Sequence, residues 1–179
     1  SARGDSVIIV LGAAEEEAGG GGSPERALGR AAQTIASMID GVVVIGPVVP
    51  GIDQAGRSLR SALAGLRARP GWPDAPNPAH ADDLLPERLL DGDELAAEQI
   101  TALVGAPLHS MGEPFEATYP SLGGSLEATA RALFVHANTV RYRLGRVSEQ
   151  VGWDATDARD GLMLHMAIIV GRLRAHPGD

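Results

Sequence analysis

The sequence predicts a mixed α+β protein, in which a small α/β part precedes an all-α helix-turn-helix part. Near the amino end, two runs rich in β-branched residues, Val7–Leu11 and Val42–Ile45, alternate with helical patterns. A proline-rich segment at 70–78 then separates this region from one that shows helical patterns only. Two short helices with several arginines follow at 123–152, and we interpret them as the functional part of the chain.

Composition narrows the class of protein. The chain has 179 residues, 44% of them hydrophobic but only 3% aromatic, so its core must be built from Ala, Val, Leu and Ile. The absence of cysteine excludes disulfide scaffolds, thiolate metal sites and cysteine nucleophiles. A net charge of -8 argues against a chain that coats nucleic acid along its whole surface. Residues 121–150 are an exception, because four arginines and two glutamates give them a local charge of +2.

The same sequence indicates where the protein acts. We find no apolar run of the roughly 18 residues that a membrane span needs, and no signal peptide, so we expect a cytoplasmic protein with no membrane partner. Because the sequence begins with Ser1 rather than methionine, we also expect further chain upstream.

The α/β part is predicted as strand, helix, strand, helix. Val7–Leu11 is predicted to be a buried strand. The glutamates and glycines after it, including Glu15 to Glu17, are interpreted as a solvated loop, because the lysine and Ser/Thr of a phosphate-binding loop are missing. Ser23, Pro24 and Glu25 are typical of a helix start. This helix should run to about Asp40 with one apolar face, which consists of Leu28, Ala31, Ala32, Ile35 and Ile39.

Strand Val42–Ile45 and helix Ile52–Leu66, with Leu59, Leu63 and Leu66 at helical spacing, complete this part. Beyond the prolines, Leu84, Leu85, Leu89 and Leu90 are predicted to share one helix side. Asp91, Gly92 and Asp93 should break that helix before another, Glu94–Val104; the full ligand pattern of a calcium loop is missing there. We therefore expect domains at 1–78, 79–114 (connecting helices) and 115–179.

The helix-turn-helix prediction depends on residue types at specific positions. Ser125 is a suitable N-cap for a helix Leu126–Leu133, in which the small Ala130 allows a second helix to cross closely. The turn Phe134–His136 should place Val135 beneath it as an apolar plug. A second helix should begin at Asn138 or Thr139 and extend to Glu149.

A 100° rotation per residue divides this second helix into two faces. Val140, Leu144 and Val147 point into the protein. The outward face carries Asn138, Thr139, Tyr142, Gly145 and Arg146, with Arg141 and Arg143 at its flanks. Such a face suits the DNA major groove, because Arg pairs with guanine, Asn with adenine and hydroxyls with phosphates. An ordinary basic surface helix is the simpler alternative for the arginines taken alone.

The segment TARALFVHANTVRYRLGRVSEQVGWD closely resembles the C-terminal helix-turn-helix of PucR-type, or CdaR-like, transcriptional regulators. The residues that match this pattern are Ala130, Leu133, Val135, His136, Asn138, Thr139, Val140, Tyr142, Arg143, Leu144, Arg146 and Gly152. The resemblance is strong over about 121–173 and weaker over 5–108, where it implies a degenerate GGDEF-like α/β domain followed by helices. Two residues depart from the pattern: Phe134 stands where many such turns have glycine, and Pro120 falls in the preceding helix.

The resemblance implies a DNA-binding transcription regulator, not an enzyme, with no cofactor and no metal. Its DNA-binding residues would be His136, Asn138, Thr139, Arg141, Tyr142, Arg143 and Arg146. We further expect a homodimer or higher homo-oligomer, as a dimer on a palindromic operator, under the control of an unknown small-molecule effector that an upstream domain senses. A nucleotide-binding or cyclase-like α/β enzyme, or an interaction module that has lost DNA binding, are the alternatives.

A last helix opened by Asp157 and Asp160 should be strongly apolar, through Leu162, Met163, Met166, Ile169, Val170 and Leu173. We interpret it mainly as core, with a dimer contact as the alternative. We expect His165 to be packed rather than a metal ligand.

Overall fold

The computed structural model describes residues 7–12, 24–106 and 126–175. Its helices and strands are α1 Pro24–Ala36, β1 Val44–Ile45, α2 Ala55–Ala68, β2 Ala79–His80, α3 Leu85–Leu90, α4 Glu94–Ile100, α5 Leu126–Ala132, α6 Ala137–Val151 and α7 Ala158–Ala175. The described chain is mostly helical with one small parallel sheet, which confirms the predicted fold class. Two compact units divide between Arg88 and Leu89, and each is described by itself.

The sheet of the first unit joins distant parts of the chain. Strands β1 and β2 are parallel, with Val44 opposite Ala79. The amide of Val43 donates to Asn77 Oδ1 at 2.9 Å, and Asn77 Nδ2 donates to the Gly41 carbonyl at 2.8 Å. The proline-rich segment, predicted as neither helix nor central strand, therefore lies against β1 within the first unit. The segment begins with a 3₁₀ turn, Arg69–Gly71, and a second turn follows, in which the Ala75 amide donates to the Trp72 carbonyl at 3.1 Å.

Helix α2 confirms the predicted second helix but buries a different face. A 3₁₀ turn, Ile52–Gln54, precedes it, and it ends at Ala68. Its buried residues are small, namely Ser61, Ala64, Gly65 and Ala68, whereas the predicted leucines are only half-buried. A β-carbon at Gly65 would lie 2.9 Å from Val44 Cγ1, so the helix packs on β1 more closely than a leucine face would allow.

Arg88 is the largest fully buried side chain of the described residues. Its guanidinium donates to the Ala81 carbonyl at 3.0 Å and to Ser61 Oγ at 3.3 Å, and lies 3.8 Å from the Asp82 carboxylate. Burial of a charge is tolerated here because these partners replace water. Sequence reasoning did not find this residue.

The prediction that four leucines share one helix side is confirmed only in part. Leu84 and Leu85 are fully buried as expected, but Leu90 is exposed, and Arg88 occupies the inner position one turn after Leu84. At 100° per residue, Leu90 lies about 200° around α3 from the buried Arg88 and therefore faces away from the buried side.

The prediction of a buried strand at Val7–Leu11 was wrong. Residues 7–12 form neither helix nor strand, and Val7 to Val10 are exposed. A strand is held by the backbone of a neighbour, and the two strands of the described chain pair with each other. Helix α1 is confirmed but ends at Ala36, four residues early, which leaves Met38 and Ile39 exposed. The Glu15–Glu17 loop and the Ser23 cap lie outside the described residues.

The second unit begins with the predicted break and helix. Gly92 has a positive φ of 82°, and the Asp93 carboxylate caps α4 by accepting from the Leu95 amide at 3.1 Å. The helix continues as a π-helical stretch, Thr101–Gly105, so the predicted helix Glu94–Val104 is confirmed. Helix α7 packs against α4 and this stretch, where Arg174 Nη1 lies 3.1 Å from Thr101 Oγ1.

Three further predictions concern residues outside the described ranges: the Ser125 cap, the effect of Pro120 and the boundary at 114. The domain limits 1–78, 79–114 and 115–179 stay predictions. Among the residues described, no helix combines the length and the apolar character that a membrane crossing requires.

Candidate nucleic-acid interface

Helices α5 and α6 pack against each other across small residues. Ala130 is buried against Val140 and Leu144, as the sequence predicted. Val135 in the turn packs against the same cluster, and its amide donates to the Ala130 carbonyl at 3.0 Å. The small residue in α5 and the apolar plug in the turn are thus both confirmed. They fix the approach of the second helix.

Helix α6 begins with a side-chain cap that the sequence analysis missed. The Asn138 amide donates to His136 Nδ1 at 3.1 Å, and His136 has the extended backbone of an N-cap residue. The helix accordingly begins at Ala137, one residue before the predicted start. Because Nδ1 accepts a hydrogen bond, it carries no proton in this arrangement. The side chain of His136 is exposed.

The inward face of α6 is the one predicted. Val140, Leu144 and Val147 are fully or almost fully buried. Their spacing of four and three residues is that of one face of a helix, and the opposite face is left to solvent. Packing alone therefore determines which side chains of α6 a partner can reach.

The predicted site residues lie on this exposed side of α6 or at its cap. Tyr142 is 66% exposed. The others divide by exposure: His136, Asn138, Arg141 and Arg146 are exposed, and Thr139 and Arg143 are half-buried. The structure thus brings all seven onto one helix and its first turn.

Two pairs of these side chains are joined along the helix. Arg141 Nη1 donates to Asn138 Oδ1 at 2.8 Å, one turn away. A hydrogen bond with the Tyr142 side chain raises the pKa of Arg146 above its ordinary value. Arg146 therefore stays cationic, and both pairs restrain flexible guanidinium groups before any partner binds.

Helix α6 ends at Val151, two residues after the predicted end at Glu149, and a glycine closes it. Gly152 adopts a left-handed conformation with φ 75°, and its amide donates to the Ser148 carbonyl at 2.9 Å. Beyond it, Asp157 Oδ1 accepts from the amides of Arg159 and Asp160 at 2.8 and 3.0 Å, which confirms the predicted start of α7. Thr156 donates its amide and hydroxyl to Asp154, and these bonds lower the pKa of that carboxyl.

Helix α7 has a core face and a separate exposed apolar face. The buried residues are Met163, Leu164, Ala167 and Val170, which confirms the interpretation as core. Of the apolar residues named from the sequence, four fall outside this core, at spacings of four, three and four residues: Leu162, Met166, Ile169 and Leu173. The expectation that His165 is packed was wrong, because its side chain is exposed beside this second face.

Two helices packed across a small residue, with a capped second helix that exposes polar and basic side chains, define a helix-turn-helix protein. Residues 117–170 match the PucR C-terminal helix-turn-helix domain family, and residues 1–68 match the GGDEF-like domain family. The chain therefore combines a region similar to the GGDEF-like domain with a following region similar to the PucR C-terminal helix-turn-helix domain. The resemblance noted in the sequence is confirmed.

Several relatives carry the same region. The chain is 44% identical over 142 residues to Uncharacterized protein Rv2242 of Mycobacterium tuberculosis, an alignment that covers 78% of this chain and 34% of that protein. It is 49% identical over 41 residues to the Carbohydrate diacid regulator of Escherichia coli, which covers 23% of this chain and 11% of the regulator.

Among solved structures, the chain is similar to the Regulator of Polyketide Synthase Expression from Bifidobacterium adolescentis, with a TM-score of 0.64 and 43% identity. That similarity covers 69% of this chain and 51% of the other. The chain spans about a third of the length of its mycobacterial relative. Both the Bifidobacterium adolescentis protein and the Escherichia coli relative are named as regulators.

Within the described ranges, no group of three or more His, Asp or Glu side chains is arranged to hold a metal ion.

Proposed function

We propose that this chain is a sequence-specific DNA-binding regulator of transcription that places α6 in the major groove. The observation that carries the proposal is the exposed polar and basic face of a helix whose opposite face is locked into a helix-turn-helix core. The major groove admits an α-helix, and each base pair presents a distinct pattern of donors, acceptors and methyl groups there. The family match and the names of two relatives, both regulators, support the same role.

The side chains divide by position. Asn138, Tyr142 and Arg146 lie at the centre of the exposed face and suit base edges. Arg141, Arg143 and Thr139 lie at its margins and suit phosphates, as does His136 through the nitrogen that does not cap the helix. The amino end of α6 is the positive end of its helix dipole, which also favours a phosphate.

Binding should depend on fit more than on long-range attraction, because the arginine-rich helix belongs to a chain with a net charge of -8. We propose that a cytoplasmic protein with this balance searches DNA weakly and holds its operator through specific contacts. We assign a regulatory rather than catalytic role to the GGDEF-like part. An effector sensed by an upstream domain would control it.

The test is a double substitution, Asn138→Ala with Arg146→Ala, measured on duplexes that the unaltered protein selects from a randomised pool. Because each base contact contributes about 1–3 kcal/mol, affinity should fall by at least about 30-fold, with a smaller loss on unselected DNA. Arg57→Ala, an exposed arginine of α2, is the matched control and should change little. Unchanged affinity and salt dependence in the double variant would contradict the assignment of this face.

We also propose that two copies bind together, joined through the exposed face of α7. Leu162, Met166, Ile169 and Leu173 form a stripe whose spacing is the same in both directions along the helix. In an antiparallel pair, Leu162 of each copy would meet Leu173 of the other. Such a self-complementary contact suits two-fold symmetry and hence a palindromic operator.

Sedimentation of the unaltered chain should then give the mass of a dimer, and Leu173→Glu should give a monomer, because a carboxylate would be buried in an apolar contact. Ile52→Glu changes another exposed apolar residue, in the first unit, and serves as the control. A monomer at every concentration of the unaltered chain would reject this contact without affecting the assignment of α6.

A further inference from the structure

Phe134 occupies a backbone conformation that does not suit it. Its φ is 54°, in the left-handed region, and it is the single residue other than glycine with a positive φ in the described parts of the chain. The β-carbon of an L-residue crowds the following carbonyl there, so a phenylalanine is held at a conformational cost that glycine would avoid.

The ring of Phe134 is also almost completely in water. It is 96% exposed, more than any other large hydrophobic side chain that the structure describes. The next residue, Val135, supplies the apolar contact beneath the turn. Phe134 therefore adds nothing to the helix-turn-helix core, and its backbone hydrogen bond to the Arg131 carbonyl at 3.2 Å needs no particular side chain.

A side chain that is strained and solvated in the free protein can contribute only through a partner. Phe134 lies two residues before His136, the cap of the helix that the proposed function places in DNA. Two residues of chain span at most about 7 Å, within the roughly 12 Å width of the major groove. Base edges in that groove present one apolar group, the 5-methyl of thymine.

We propose that Phe134 is a specificity-determining residue, whose ring packs against a thymine methyl at the edge of the operator half-site. This inference rests on the proposed function. It adds an apolar contact to a face otherwise made of polar and basic side chains, and it explains a turn residue that the fold does not use.

The first experiment measures the stability and the DNA affinity of one variant, because a binding role and a structural role of Phe134 predict opposite changes in stability. Phe134→Gly should raise the melting temperature of the protein by about 2–4 °C, because the strain is relieved. The same variant should bind a selected duplex about fourfold more weakly or worse. A merely structural phenylalanine would give lower stability, with affinity following it.

Salt dependence supplies a second readout. An apolar contact releases no counterions, so Phe134→Gly should leave the slope of log affinity against log salt unchanged. Phe134→Asn tolerates the left-handed backbone without an aromatic ring and should reproduce the loss of affinity. Leu90→Ala removes another exposed apolar side chain and should alter neither measurement.

The decisive measurement changes the DNA as well. Replacing each thymine of the selected site in turn by deoxyuridine removes one methyl group. At one position this replacement should weaken DNA binding by the unaltered protein about fourfold and leave DNA binding by Phe134→Gly unchanged. The inference is overturned if Phe134→Gly binds the selected duplex as tightly as the unaltered protein. It is also overturned if this variant loses affinity but no thymine replacement has the effect described. In that second case, a protein partner would be the contact of the ring. Failure of the unaltered protein to select any duplex would instead overturn the proposed function.

Discussion

The helix-turn-helix and the first unit are each stabilised by a different kind of contact. The helix-turn-helix is stabilised by contacts between residues close in sequence. Ala130 packs against Val140 and Leu144, and the hydrogen bonds of the caps at His136 and Gly152 join residues at most four positions apart. In the first unit, Asn77 bonds to residues 34 and 36 positions away, and Arg88 bonds to Ser61, 27 positions away. Local contacts follow from helical spacing, whereas distant ones depend on how the chain folds back.

This difference predicts where single substitutions act most strongly. Arg88→Ala should cost about 3 kcal/mol of first-unit stability, since it leaves the Ala81 carbonyl and Ser61 hydroxyl without the guanidinium and opens a cavity. Arg60→Ala, an exposed arginine of α2, should cost less than about 0.5 kcal/mol.

Each unit contains one of the two tryptophans, so fluorescence can report on them separately. Denaturant unfolding followed through Trp72, with Trp153 replaced by phenylalanine, should show the loss in Arg88→Ala. In the opposite background, Trp72 is replaced by phenylalanine and unfolding is followed through Trp153. There, Arg88→Ala should change the free energy of unfolding little. Equal losses in both backgrounds would mean that the two units unfold together.

A smaller effect tests the local contacts of the second unit. Gly152→Ala should destabilise it by about 1 kcal/mol, because alanine strains a residue with φ 75°, although its β-carbon would meet no atom within 4 Å.

Gly145→Ala is the matched control, since this glycine lies inside α6, also with open space around it. Alanine should stabilise there by about 0.5–1 kcal/mol, through the higher helix propensity of alanine. Stability changes of opposite sign for the two substitutions, measured through Trp153, would confirm that backbone conformation, and not side-chain volume, determines the effect of alanine. The same sign for both would contradict it.

The exposed apolar residues of the two units differ in the backbone that carries them. Phe134 and the second face of α7 are ordered positions on regular or tightly turned backbone, so each can be assigned a partner and tested. Val7 to Val10 are also exposed, but no strand of the described chain pairs with them.

By itself, the sequence determined the helix-turn-helix and the family. Helical periodicity over a few turns was enough to select Val140, Leu144 and Val147 as the inner face, and therefore to leave Asn138, Tyr142 and Arg146 outside. The tertiary structure alone decided the rest: the buried Arg88, the small-residue face of α2, the absence of a strand at Val7–Leu11 and the strained exposure of Phe134. Each of these depends on a neighbour distant in sequence, or on a backbone angle that residue spacing does not specify.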